Sequence, residues 1–404
     1  MAKPACKSAE WIERADRVIM KTYGRYPLVP VRGAGCRVWD ADGKMYLDFL
    51  AGVAVNNLGH CHPKVVAAIR EQAATLIHCS NYYHIPTQIE LAELLCGRSF
   101  ADRAFFCNSG AEANEAAIKL ARKYSREAFG PERYTIITAA ESFHGRTMAT
   151  VSATGQEKVQ RFFDPLLHGF VHVPFNAAAA IEAAVTPQTC AVMLEPIQGE
   201  GGVNVPDPDY LKAVRAICDR HGLLLILDEV QTGLGRTGKL FAYEHFGIEP
   251  DIMTLAKALA GGAPIGTMLA REKYAAAFSP GTHGSTFGGN PLMTAAALAA
   301  VNTLLDEGLL ERATVMGGYL VKRLGELKAK HAIVEEVRGI GLMVGMKLTI
   351  PGGDLVKQGH ARGLLLNVTH DTVLRFVPPL VISEAEIDEG MAILDELLAN
   401  AATR

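Results

Sequence analysis

Two charged positions in apolar surroundings raise the first chemical question. IMTLAKALAGG (252–262) is an apolar run with one lysine, Lys257, at its centre and two glycines at its end. One reading is a lysine whose stem lies on apolar surface while its ammonium reaches water. The other is an amine used in covalent catalysis, because a desolvated amine gives up its proton readily and condenses with a carbonyl. LLLILDEVQ (223–231) ends an aliphatic run in Asp228, Glu229 and Gln231. Ligands of open α/β sheets bind beyond the carboxyl ends of strands, which makes acids there candidates for chemistry. A carboxylate capping the following turn is the structural alternative.

Pyridoxal phosphate chemistry needs such a pair. A lysine carries the cofactor through its aldehyde, and an aspartate keeps the ring nitrogen protonated so that the ring can draw electrons. The cofactor also needs a phosphate site. FFCNSGAEANEAAIKLARKY (105–124) reads as a strand, a small-residue turn and a strong helix. Ser109, Gly110 and Ala111 then sit where the first helical N–H groups lack internal partners and the dipole favours an anion. A plain N-cap by Asn108 or Ser109 is the alternative, and Glu112 in the first turn suits the dipole better than it suits a bare anion.

Two other motifs invite readings of their own. GLGRTGK (233–239) matches Gly-x-Gly-x-x-Gly and most of a Walker loop, with Asp251 beyond it as a ribose-binding acid. Leu240 stands where a Walker loop needs Ser or Thr, and the glycines come after the acidic strand end rather than at it. The stretch reads as a tight surface or interface loop; a nucleotide-binding protein using it is the rival function from a different class. In GHCHP (59–63) the histidine spacing is not a usual zinc pattern, and Pro63 suits the first position of a helix. A structural turn and no metal are expected there.

The elements that must position these groups follow from pattern. The chain has 404 residues, a formal net charge of −3 and ordinary apolar content, which gives no electrostatic footprint for nucleic acid or an anionic membrane. The polar start MAKPACKSAEWIERADR lacks the apolar core of a secretory signal, and LMTAAALAAVNTLL (292–305) is too short and interrupted to span a bilayer. Eight cysteines without a Cys-x-x-Cys pair fit reduced thiols in the cytoplasm. Trp11, Ile12, Ala15, Val18 and Ile19 predict an amphipathic helix over 8–22. GCRVWDADGKMYLDFL predicts two strands around an Asp42-Gly43 turn. Helices over 63–76, 86–97, 111–128, 177–185 and 208–221 alternate with the strands RAFFCN, YTIITA, FVHVPF, CAVMLEP, LLLILDE and GTMLA. That alternation implies a mostly parallel sheet wrapped by helices. After a helix near 290–306 the pattern changes to helix 308–330, strands near 332–348, 363–368 and 373–377, and helix 383–400. This describes a smaller α+β unit, which the hairpin near 36–50 would join. The expected division is residues 1–55 joining the small domain, 56–300 as the large cofactor-binding domain, and 301–404 as the small domain.

The ordered set NSGAEANEAAIKLAR, ESFHGRTMATVSATG, EPIQGEGG, LDEVQTGLGRTGK, TLAKALAGGAPIG and STFGGNP closely resembles the class III (ornithine aminotransferase-like) pyridoxal phosphate aminotransferases, from about residue 20 to the C-terminal helix. The resemblance implies an α/β fold of fold-type I, with a seven-stranded, mostly parallel sheet between helices, and a homodimer with active sites at the interface. It implies that Lys257 carries the cofactor and Asp228 faces the ring nitrogen. Gln231 would sit near the phenolic oxygen, Gly110 and Ala111 would bind the phosphate beside Ser109, and Phe143 would stack on the ring. Thr286 would reach the phosphate of the neighbouring subunit's cofactor.

Arg146 and Arg375 look like two carboxylate clamps suited to bidentate recognition, and Glu200 resembles the acid that pairs with the second. Gly52, Val53 and Ala54 stand where ornithine-specific members typically carry a tyrosine for the free α-amino end. Small residues leave room for an acyl group, and Ser285 would contact the acylated substrate. The expected reaction is transfer of an amino group from N2-acetyl-L-ornithine to 2-oxoglutarate, in arginine biosynthesis. Succinylornithine, succinyl-diaminopimelate, free ornithine and 4-aminobutyrate are the alternative donors.

Overall fold

A strand whose residues are all aliphatic is stable only where both its faces are covered, and the segment ending in Asp228 meets that condition. The computed structural model of the protein describes residues 8–402; the expected N-terminal segment begins earlier, and its first seven residues lie outside the described ones. In Leu224–Asp228 every residue is buried. Leu224 and Ile226 join the core under one set of helices, while Leu225 and Leu227 join the core on the opposite face. This is the two-residue period of a strand, read into two cores instead of one core and solvent.

The strands in chain order are β1 (Pro30–Ala34), β2 (Arg37–Asp40), β3 (Met45–Asp48), β4 (Arg103–Cys107), β5 (Thr135–Ala139), β6 (Phe170–Val173), β7 (Thr189–Leu194), β8 (Leu224–Asp228), β9 (Ile252–Leu255), β10 (Gly266–Ala270), β11 (Val334–Ile340), β12 (Met343–Leu348), β13 (Leu364–Leu365), β14 (Asn367–Thr369) and β15 (Val373–Phe376). The central sheet has seven strands in the order β4-β10-β9-β8-β7-β5-β6. Six run in the same direction, and β10 is antiparallel to both of its neighbours. On one face lies the helix Gly110–Phe129, whose Ala116, Ala117 and Leu120 pack on the sheet. On the other lie Tyr210–His221 and Pro291–Asp306.

The Asp42-Gly43 hairpin forms as β2 and β3, and Leu47 and Asp48 pair in parallel with Leu364 and Leu365 of β13. The hairpin is therefore stitched to the C-terminal part of the chain. A separate antiparallel sheet, β11-β12-β15-β14, carries Arg375 in register with Asn367. The N-terminal helix is shorter than its pattern, ending at Val18. Pro63 opens its helix as expected. His60 bonds to Asp48 at 2.7 Å and His62 lies 3.7 Å from Glu307, so both histidines serve the turn.

The glycine loop after β8 differs from expectation. It is not a surface loop: residues 231–238 are all buried. The reason is Arg236, whose side chain is fully buried. Its guanidinium donates to the carbonyls of Leu342 (2.8 Å) and Pro378 (2.6 Å) and to the Asn57 side chain. The planar fork of arginine matches several acceptors at once, and it ties the loop to Asn57, Leu342 and Pro378. A loop so enclosed offers no cradle for a nucleotide. Replacing Arg236 with alanine is expected to cost about 3 kcal/mol or more, because buried acceptors lose their donors. Urea unfolding checks this; a change under about 0.5 kcal/mol, the range of neutral surface substitutions, contradicts it.

Candidate active site

The carboxyl ends of β8 and β9 open into a cavity of about 410 Å³, within the range of small-molecule sites. Asp228 and Lys257 both line it, together with Ser109, Gly110, Ala111, Phe143, Arg146, Glu200 and Gln231. Sequence reasoning thus selected residues from five separate segments that fold into one wall.

Asp228 is buried and tightly held. Its Oδ2 accepts from Asn114 Nδ2 at 2.7 Å and meets His144 Nδ1 at 2.8 Å, while Oδ1 accepts from the Val230 N–H at 3.0 Å. Asn114 is fixed in turn by the Thr254 hydroxyl, which donates to it at 2.7 Å. Asn114 and His144 are the functional residues that sequence reasoning missed. A signal existed for the first: Asn114 is an amide among the mostly apolar residues buried on its helix, where Ser125 is the other polar one.

Lys257 follows β9 with a left-handed φ of 36°, a conformation that costs a non-glycine residue about 1–3 kcal/mol. Desolvation pushes its ammonium below the usual lysine range and Arg375 pushes the same way, while Glu200 and Asp228 oppose them. This is the environment in which an amine acts as nucleophile and base.

At the head of Gly110–Phe129, Ser109 is the N-cap and accepts from the Glu112 N–H at 3.2 Å. Glu112 turns its carboxylate back onto the Asn108 backbone N–H at 2.5 Å, which removes it from the anion position. The N–H groups of Gly110 and Ala111 are left for an anion. A Cβ at Gly110 would lie 2.8 Å from Val230, so only glycine fits this approach. Phe143 is held at its backbone N–H by Glu195 at 3.0 Å. Burial raises the Glu195 pKa to about 7, with Asp228 adding to the rise and His144 opposing it. The Arg146 guanidinium sits 5.5 Å from the Phe143 ring centroid.

Arg375 is 1% exposed. It donates to Glu200 at 2.5 Å, to Gln231 at 3.2 Å and to Asn367 at 3.0 Å. Burial pushes the Glu200 carboxyl up, but Arg375 and Lys257 outweigh it and leave the group below the ordinary value. Gln231 thus spends its amide oxygen on Arg375. It reaches that place because residue 199 is glycine; a Cβ there would come within 2.6 Å of the Gln231 amide.

Five expected residues lie elsewhere. Ser285 and Thr286 line neighbouring depressions and not the Lys257 cavity of the same chain. Ser285 accepts from Asn108 at 3.1 Å. Gly52, Val53 and Ala54 form part of a left-handed turn, and Val55 behind them is the residue on the cavity wall. Among the described residues no group of His, Cys, Asp or Glu is arranged to hold a metal ion.

The donor set fits pyridoxal phosphate. A desolvated amine, a buried carboxylate, two helix-start N–H groups beside a close-packed glycine, and an aromatic side chain surround one cavity. Residues 18–398 match the family model described as aminotransferase class-III. The chain belongs to that family. The aminotransferase is 55% identical over 384 residues to an acetylornithine aminotransferase of Caldanaerobacter subterraneus subsp. tengcongensis, covering 95% of this chain and 98% of the relative. It is 53% identical to that of Methanocaldococcus jannaschii, covering 96% and 97%. Among solved structures, the ornithine aminotransferase of Toxoplasma gondii ME49 superposes with a TM-score of 0.95 at 36% identity, covering 99% of this chain and 97% of that one. The N-acetylornithine aminotransferase of Stenotrophomonas maltophilia K279a gives 0.84 at 39%, covering 97% and 100%. The aminotransferase is pyridoxal phosphate-dependent, as the family is, and a further T. gondii structure reports partial cofactor occupancy at its active site.

The depressed lysine has a consequence for the cofactor-free aminotransferase. Between its lowered value and the ordinary 10.5, Lys257 is neutral when folded and protonated when unfolded. The unfolded state then binds the extra proton, so stability rises with pH across this window, is fully present above 10.5 and is lost as pH falls through the lowered value. Lys257→Met is expected to flatten the slope of unfolding free energy measured as pH is raised toward 10.5. An unchanged slope would contradict the desolvation.

Proposed function

We propose that the aminotransferase moves the terminal amino group of N2-acetyl-L-ornithine to 2-oxoglutarate, giving N-acetyl-L-glutamate 5-semialdehyde and L-glutamate as a step of arginine biosynthesis. The relatives at 55% and 53% identity are acetylornithine aminotransferases over nearly their whole length. The observation that carries the residue-level reading is the Arg375–Glu200 pair at 2.5 Å, in which Arg375 is buried and Glu200 half-buried on the wall of the Lys257 cavity.

When bound, pyridoxal phosphate supplies an aldehyde that takes up the amino group and a ring that withdraws electrons from the adjacent carbon. Asp228, fixed by Asn114 and His144, holds a proton on the ring nitrogen. Gly110 and Ala111 bind the phosphate, and Phe143 limits the tilt of the ring. The Lys257 amine takes the proton from the donor's amino-bearing carbon, a role worth roughly 10²–10⁴-fold in rate. Arg146 holds the α-carboxylate of acetylornithine while Glu200 neutralises Arg375. For the dicarboxylate, Glu200 swings away, Arg375 takes the α-carboxylate and Arg146 the distal one. Val55 offers an apolar wall with no polar partner for a free ammonium, which favours an acylated α-nitrogen.

The protein works as a homodimer in the cytoplasm in this reading. Tyr82 is 94% exposed and Phe287 61%, next to Ser285 and Thr286, which line depressions other than their own chain's cavity. Two such aromatics mark a surface that association covers. Thr286 then serves the partner's phosphate site and Ser285 its acyl end. Among the described residues no single helix is long and apolar enough to cross a membrane.

Rapid mixing of the holoenzyme with single amino donors tests the assignment. Acetylornithine is expected to bleach the cofactor's visible band with the highest efficiency, ahead of free ornithine, succinylornithine and 4-aminobutyrate. Faster reaction with free ornithine would overturn it. Glu200→Ala is expected to shift preference toward glutamate over acetylornithine by about tenfold, the effect of one charged hydrogen bond; an unchanged ratio would remove the switch.

A further inference from the structure

Arg375 has to do two things in the proposed reaction: lose its pairing with Glu200 and stay where the incoming carboxylate needs it. A guanidinium that loses its only carboxylate inside a protein turns to whatever acceptor is nearest. The environment of Arg375 shows what prevents this. Its Nε donates to Asn367 Oδ1 at 3.0 Å, on the edge of the fork opposite to Nη1. Nη1 donates to Glu200 and Gln231. The Nε bond does not involve Glu200, so it survives the swing.

The register explains why the contact is there. Asn367 stands directly opposite Arg375 in the antiparallel β14–β15 pair, where facing side chains lie about 5 Å apart. The same short strand holds the other half of the pair: the Thr369 hydroxyl donates to the backbone carbonyl of Glu200. β14 therefore fixes the backbone of the acid and the guanidinium of the base, and leaves the Glu200 side chain as the part free to move.

We propose that Asn367 is a positioning residue for the dicarboxylate half-reaction, holding the Arg375 fork in place through Nε while Glu200 is withdrawn. The proposal rests on the substrate scheme above and adds what that scheme requires. Asn is suited to the task because its amide oxygen accepts from arginine without neutralising it. A carboxylate in its place would pair with Arg375 permanently and compete with the substrate.

The experiment compares wild-type, Asn367→Ala and Asn367→Asp holoenzymes in both half-reactions, and measures glutarate, an unreactive dicarboxylate, by equilibrium titration. Asn367→Ala is expected to raise the KM for 2-oxoglutarate and the Kd for glutarate about tenfold, the effect of losing one hydrogen bond to a charged group. The acetylornithine half-reaction should stay within about twofold, because Glu200 still holds Arg375 there. Asn367→Asp should weaken glutarate further while leaving acetylornithine binding intact. A structural role would weaken acetylornithine and the dicarboxylates together and lower the melting temperature; that result, or unchanged glutarate binding in Asn367→Ala, overturns the proposal. If the wild-type holoenzyme itself fails to accept 2-oxoglutarate, the substrate scheme falls instead, and the two failures are distinct.

Discussion

A carboxylate buried at the end of a strand is unstable unless its oxygens are supplied with donors, and the structure is organised around meeting that need for Asp228. An uncompensated buried charge is worth several kcal/mol against folding. Here the donors come from Asn114 on one helix, His144 on a turn and the Val230 backbone, with Thr254 of the next strand fixing Asn114. Satisfying one acid thus locks a helix, a turn and two strands into a single geometry. The same lock sets the cavity's other walls, since the helix that carries Asn114 also presents Gly110 and Ala111, and the turn that carries His144 also presents Phe143 and Arg146.

The second organising constraint is charge balance in a desolvated space. Lys257, Glu200 and Arg375 each feel the other two. Glu200 lowers the burden of two cations, which is why its carboxyl stays ionised despite burial. Moving that one side chain therefore changes the field at the lysine as well as at the arginine. Substrate selection and proton transfer are not independent functions of separate residues in such a site; they draw on the same few charges.

The sequence made the frame legible and left the supports hidden. Aliphatic runs ending in polar residues located β8 and β9, and the small-residue turn before a strong helix located the anion site. Lys257 stood out because a cation in an apolar run is rare. These are local signals. Asn114, His144, Glu195 and Asn367 act through contacts with residues far along the chain, and even where a local signal marks the residue, as at Asn114, no local pattern names its partner. The antiparallel run of β10 was equally invisible, because direction is set by tertiary pairing. The glycine loop shows the opposite failure. Its spacing resembled a phosphate cradle, yet its glycines permit close packing against Leu255, Leu304 and Thr314, and spacing alone does not tell a loop that holds a ligand from one packed into its own chain.

The pairing of β3 with β13 has a bearing on biosynthesis. The hairpin that supplies β3 leaves the ribosome early, but its parallel partner is made near the end: Lys44 and Ala361, which bond across this junction, are 317 positions apart. At about 5–20 residues per second, that interval is roughly 15–60 s, during which a finished strand edge has no neighbour. Unpaired edges invite pairing with other chains. For such a chain the last quarter to be translated closes the first, and a nascent chain arrested before residue 364 would expose an open edge that a chaperone or a neighbouring polypeptide could occupy.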